Sequence, residues 1–268
     1  MSAAALASSW PARLALEFER DGKKTVLARR SSEGPLVVQK PLYPEGEAVC
    51  HAIVVHPPGG IAGGDELLLE VKSEGHALLT TPGAAKWYRS AGPWAKQRLV
   101  FEVDGTLEWL PRETIVFDAA LAQLECEIRL GSAARYIGWE IVCLGRTGSG
   151  ERFSRGTLRL DTRIVKDEKP LWVERGEIEG GGALMRSPVG LGGCSVFGSL
   201  VAAAPSFDVD LLKQCREIAA TTLLPGLLIA RYLGESTEDA MNRFTRLWHL
   251  LRPTVAGREA VEPRIWRT

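Results

Sequence analysis

The chain has 268 residues, 45% apolar and 25% charged, the make-up of a globular protein long enough to bury one large core or two modest ones. Lysine plus arginine and aspartate plus glutamate both total 33, so there is no surplus of positive charge to hold a phosphate backbone, and nucleic acid is not expected as a partner. A net charge of zero also removes the self-repulsion that keeps neighbours apart, which suits a chain that works inside a complex.

The N-terminal run MSAAALASSWPARLALEF lacks a basic start, and Arg13 interrupts it before an apolar core forms, so no signal peptide is expected. Nowhere do enough apolar residues run together to span a bilayer as a helix, and no membrane partner is expected. The five cysteines, Cys50, Cys126, Cys143, Cys194 and Cys215, are scattered and form no CxxC pair; they read as reduced thiols of a cytoplasmic protein.

Through about residue 204 the pattern is one of short alternating runs bounded by Gly, Pro and Asp, which predicts strands. In chain order they are RLALEFE, AVCHAIVV, ELLLEVK, HALLTT, KQRLVFEV, TLEWL, AQLECEIRL, YIGWEIVCL and TLRLDTRIV. Asp21-Gly22 and Asp104-Gly105 sit between such runs and tolerate the backbone angles of tight hairpins, so the pairing is expected to be largely antiparallel. No fixed-length repeat is visible, which argues against a regular propeller or a consensus solenoid.

After Pro205 the pattern changes. Asp208 can cap a helix with Leu211, Leu212, Cys215, Ile218 and Ala219 on one face. Ser236, Glu238 and Asp239 can open a second, in which Ala240, Phe244, Leu247, Trp248 and Leu251 recur until Arg252-Pro253 ends it. The expected fold is mainly β: one domain over 1–268, with a strand-rich body (about 10–204) that is β-helix-like or built of layered sheets. A pair of amphipathic helices (about 207–252) and a C-terminal tail (253–268) complete it.

The segment HPPGGIAGGD joins two strands. Pro57 and Pro58 fix φ and lack N–H donors, while Gly59, Gly60, Gly63 and Gly64 reach backbone angles closed to other residues, so a stiff, tight connection running from His56 is predicted. A phosphate loop needs Gly-Lys-Ser/Thr where this chain has Gly64-Asp65-Glu66, and carboxylates there favour cations. Lys86, in TPGAAKWYRSAG, likewise lacks the upstream glycine and the following hydroxyl of a phosphate-loop lysine.

A hydrolase would need a nucleophile in context. Gly148-Ser149-Gly150 follows Thr147 rather than completing a GxSxG elbow, and Cys194 has no diagnostic neighbours. Among metal ligands, Cys50 and His51 point to opposite faces of a strand, and Cys50 and His56 share a face about 20 Å apart at ~3.3 Å per residue, so no tight local cage forms. What remains are acids in apolar settings: Asp65, Glu66, Asp118, Glu140 and Glu174. A buried unpaired carboxylate costs roughly several kcal/mol and needs a purpose.

HPPGGIAGGDEL, LLTTPGAAKWYRSAG, LEWLPRETIVFDAA, GWEIVCLGRTGSGERF, LWVERG, LLPGLLIARYLG, LWHLLRP and PRIWRT follow one another in an order and spacing that resemble the urease accessory protein UreD (UreH) family from about Trp10 to Thr268. The resemblance implies a mainly β, non-catalytic scaffold that binds the urease apoprotein and UreF, which in turn holds the GTPase UreG. It implies no tightly bound cofactor, with nickel in transit and GTP used by UreG. On that basis Asp65, Glu66, Glu140 and Glu174 are the candidate transit residues, Lys86 a candidate for the mouth of the path, and Leu212 and Trp248 candidate partner contacts, with simple core packing as their alternative. A conduit should hold its ion weakly at several places, and dispersed carboxylates suit that better than a His/Cys cage. A β-rich binding module, a nickel storage protein and a cysteine or serine hydrolase are the competing readings.

Overall fold

The computed structural model describes residues 11–267; the first ten residues, Trp10 among them, and Thr268 lie outside the described residues. Its strands are β1 (Pro11–Asp21), β2 (Lys24–Glu33), β3 (Val37–Val38), β4 (Cys50–Val55), β5 (Glu66–Ser73), β6 (His76–Thr80), β7 (Ala85–Trp87), β8 (Ala95–Val103) and β9 (Thr106–Leu110). They continue as β10 (Thr114–Val116), β11 (Leu121–Leu130), β12 (Arg135–Leu144), β13 (Thr157–Lys166) and β14 (Lys169–Glu179). A short helix α1 (Ala183–Arg186) precedes β15 (Val196–Ala203), α2 (Val209–Ile218), β16 (Ala220–Leu224), β17 (Leu227–Gly234) and the long α3 (Thr237–Ala256).

All nine runs singled out in the sequence are strands; those of the first sheet bury one side of the pleat, and those of the second bury both. They do not pair with their sequence neighbours. Between β4 and β13 the chain passes back and forth between two sheets, so β5, β8, β11 and β13 stack in parallel in one sheet and β4, β6, β9 and β12 in the other. The β-helix-like reading of the body therefore holds, as mixed sheets with a parallel centre. Antiparallel pairing is confined to the flanks: β1 with β2, β3 with β4, β13 with β14, β12 with β15, and the β15–β17–β16 ribbon.

Asp104-Gly105 explains the difference from the expected hairpin. It is a corner between the sheets, with the amides of Asp104 and Gly105 both donating to the Ser73 carbonyl of the preceding coil at 2.9 Å. Gly105 is needed for closeness rather than for positive φ, since a Cβ there would lie 2.2 Å from the Gly75 oxygen. Asp21-Gly22, by contrast, is a true hairpin, with Gly22 at φ +59°.

The second sheet is covered on both faces, giving three layers. Tyr136 and Val142 of β12 face the first sheet, whereas Ile137, Trp139 and Ile141 face α2 and α3. As predicted, the Asp208 carboxylate caps α2 and the Ser236 hydroxyl caps α3. Two expectations for the C-terminal quarter are corrected. The β16–β17 hairpin, turned at Pro225-Gly226, lies between the helices, and α3 runs through Pro253 to Ala256. Proline at 253 forfeits only the bond to the His249 carbonyl, which lies on the exposed side of the helix where water can satisfy it.

Candidate functional site

The glycine loop between β4 and β5 lays an extra rung beside β7. Ile61 donates to the Lys86 carbonyl at 2.7 Å and accepts from the Tyr88 amide at 2.8 Å. Gly59 and Gly64 adopt positive φ, while a Cβ on Gly60 would overlap the Tyr88 ring and one on Gly63 would meet the Ser90 hydroxyl. His56, Gly59, Gly60 and Ile61 thus wall one end of an inter-sheet cavity of about 310 Å³. The exposed Lys86 lines it beside Pro82 and Arg112.

Glu140 lines the inner end of this cavity and also a second one of about 110 Å³ deeper between the sheets. Strand register explains what surrounds it. Glu140 of β12 pairs with Ser199 of β15, which pairs with Arg231 of β17, so three polar side chains stand in a row across adjacent strands on the inner face. On the opposite sheet Cys126 of β11, Thr162 of β13 and Glu174 of β14 are in register and line the same cavity. The two rows, with Gln97 of β8 lining both cavities beside them, form a polar seam through a largely apolar interior.

At one end of the seam Thr114 donates its hydroxyl to Glu140 at 2.6 Å. Burial pushes the Glu140 carboxyl up to about 7 against that hydrogen bond. Burial and the neighbouring Glu140 also push the Cys126 thiol up, so it is protonated when the seam holds no cation. At the other end Arg231 bonds both Glu174 and Ser199 at 2.5 Å, with its guanidinium 5.8 Å from the centre of the Trp172 ring.

Of the acids singled out in the sequence, the structure brings Glu140 and Glu174 together and leaves Asp65 and Glu66 outside. Asp65 accepts from the Ala62 amide at 2.8 Å and pins the glycine loop; Glu66 is exposed and pairs with Lys96 at 3.1 Å. Asp118 is a clasp, accepting from Ser154 and Arg155, and these bonds outweigh burial to hold it at about 2. Leu212 and Trp248 are buried in the core between sheet and helices, so the structure gives them to packing rather than to a partner surface. Among the described residues, no three His, Cys, Asp or Glu side chains converge to hold a metal ion, and neither Ser149 nor Cys194 is hydrogen-bonded to a histidine.

Sequence reasoning missed Ser199 and Arg231, although a signal existed: in LLIARYLG the inner face reads Leu227, Ile229, Arg231, a charge where the alternation calls for an apolar residue. It also missed a buried charge cluster on the helix side of the second sheet. There Glu108 and Arg252, both without solvent exposure, join Glu45, and His51 and His76 each bond one of the two carboxylates at 2.7 Å.

The fold is thus a two-sheet β-helical body with a helical layer on one face and a sheltered polar seam between the sheets. The chain belongs to the UreD urease accessory protein family, whose model matches residues 11–267. It is 54% identical to urease accessory protein UreD of Azoarcus sp. (strain BH72), over 97% of this chain and 94% of that one. It is 51% identical to the protein of the same name from Dechloromonas aromatica (strain RCB), over 97% and 95%, and 48% to that of Pseudomonas aeruginosa, over 97% and 96%. No helix among the described residues is long and apolar enough to cross a membrane.

Proposed function

We propose that the chain is a urease maturation scaffold that binds urease apoprotein together with UreF and UreG in the cytoplasm, and that nickel in transit passes along the inter-sheet seam. The chain itself catalyses nothing and holds no cofactor tightly; GTP is hydrolysed by UreG. The observation that carries the reading is Glu140, an acid without a cationic partner placed where the two cavities meet. A carboxyl poised near neutrality exchanges its proton for an arriving divalent cation and takes it back when the ion leaves. With Thr114, Ser199 and hydration water as the other oxygens, such a site is weak enough to release its ion. Lys86 and Arg112 line the outer cavity, where they disfavour loose accumulation of cations and leave entry to a docked donor.

The test is co-expression with urease and its accessory proteins. Glu140→Ala is expected to lower nickel per urease active site and activity together, while the complex still co-purifies. Full nickel loading by an intact Glu140→Ala complex would overturn the transit path. Failure of the native chain to co-purify with urease would overturn the scaffold.

A further inference from the structure

Arg231 belongs to two spaces at once. Its side chain lines the inner cavity with Glu140, Ser199 and Glu174, and it also lines a surface depression formed by Ser236, Asp239 and Arg243 at the start of α3. Both walls come from one strand. Leu227, Ile229 and Arg231 face the first sheet, whereas Ala230 and Tyr232 face the helices, so Arg231 closes the inner face where β17 reaches the surface.

We propose that Arg231 is a gate at this end of the seam, its guanidinium occupying on Glu174 and Ser199 the place of a divalent cation and sealing the interior until it is displaced toward the depression. The proposal rests on the reading of the seam as a cation path. The geometry supports a movable element. The pair is part-exposed, 40% at Arg231 and 36% at Glu174, and ion pairs open to water are weak. The depression also holds the exposed carboxylate of Glu235, beside the Asp239–Arg243 pair at 3.0 Å, so the guanidinium has an acid to move toward. Glu174 cannot serve the guanidinium and a metal through the same oxygen, so passage and closure exclude each other. A partner docking over the depression with an acidic side chain would hold the gate open.

Cys126 reports on the interior, because it lines the seam while Cys50, Cys143 and Cys215 are buried elsewhere. In the full chain carrying Cys194→Ser, labelling of Cys126 by a cationic methanethiosulfonate is followed in the parent, in Arg231→Ser, and in Arg231→Ser with Glu174→Gln. The double variant leaves no unpaired carboxylate and guards against misfolding. Labelling is expected to accelerate about fivefold or more in both, beyond what loss of a single exposed pair allows. Removing a nearby cation would by charge alone slow thiolate formation, so acceleration reports access. Unchanged labelling in both variants, with parental unfolding temperatures, overturns the gate. Nickel content of co-expressed urease separates the two ideas: accelerated labelling together with full loading in both Arg231→Ser and Glu140→Ala upholds Arg231 as the seal and overturns the seam as the nickel path.

Discussion

Arg252 and Glu108 meet 3.0 Å apart with no solvent exposure at either side chain, although 144 residues separate helix α3 from strand β9. The same guanidinium bonds Glu45 at 2.7 Å, and Trp248 gives its indole N–H to the other Glu108 oxygen at 2.6 Å. Charges so deeply placed are tolerable only as a set. Arg252→Met is expected to destabilise the fold by about 3–5 kcal/mol, because it leaves two carboxylates without their cation. Urea unfolding followed by circular dichroism measures this; a loss under about 1 kcal/mol would show that the cluster does not hold α3 in place.

The same cluster sets an acid limit. Burial pushes Glu45 up, but the hydrogen bonds and charges of His51 and Arg252 together outweigh it and hold the carboxyl at about 2. Glu108 is likewise held below its ordinary value, with His76 and Arg252 overcoming burial. Acids depressed in the folded state contribute stability that is complete above their unfolded value near 4.5 and is lost as pH falls toward about 2. The unfolding temperature should therefore drop steeply below pH 5. In Glu45→Gln it should start lower at pH 7 and converge on the parent only near pH 2.

Glu140 carries the opposite sign. Its carboxyl is raised in the fold, so its contribution to stability declines as pH rises from about 4.5 through about 7. Glu140→Gln keeps an oxygen to accept from Thr114 and removes the charge. The variant should be more stable than the parent by about 1–3 kcal/mol at pH 8, with the difference vanishing toward pH 4. Calorimetry at the two pH values is sufficient, and equal stability at pH 8 would mean that the carboxylate is well solvated in the seam.

Corner stacking makes its own prediction. Gly105→Ala places a methyl group against the Gly75 and Glu74 backbone oxygens and should cost at least about 2 kcal/mol. Gly83→Ala, in an open loop with nothing within 4 Å, should change stability by less than about 0.5 kcal/mol.

These cases show which parts of the molecule could be read in advance. Periodicity reveals that YIGWEIVCL is a strand and that Glu140 interrupts its inner face, because a carboxylate among core positions is conspicuous. It does not reveal partners. Asp-Gly has the same composition whether the chain folds back as at Asp21-Gly22 or turns onto another sheet as at Asp104-Gly105, and only the carbonyls of neighbouring coils decide. Glu108 of TLEWL occupies the polar position of an alternating strand, between Leu107 and Trp109. The helical layer covers that side, so alternation cannot distinguish solvent from a second core. Arg252 was masked by Pro253, which marks a helix end in most chains and here sits on an outer face where its missing N–H matters little. Asp65 and Glu66 are conspicuous by their company, yet Asp65 pins the glycine loop and Glu66 pairs with Lys96 at the start of β5.

The distance along the chain between Glu108 and its cation has a bearing on how the protein is made. Strand β9 leaves the ribosome long before α3, so for much of synthesis Glu108 has only His76 near it and the helix-facing side of the second sheet, with Trp139, Ile141 and Leu200, has no cover. Closure of that layer waits for one late segment to dock. A nascent chain therefore spends its most adhesive interval with one finished sheet face bare, and expression temperature or a holdase chaperone should affect yield through that interval more than through the stability of the completed fold.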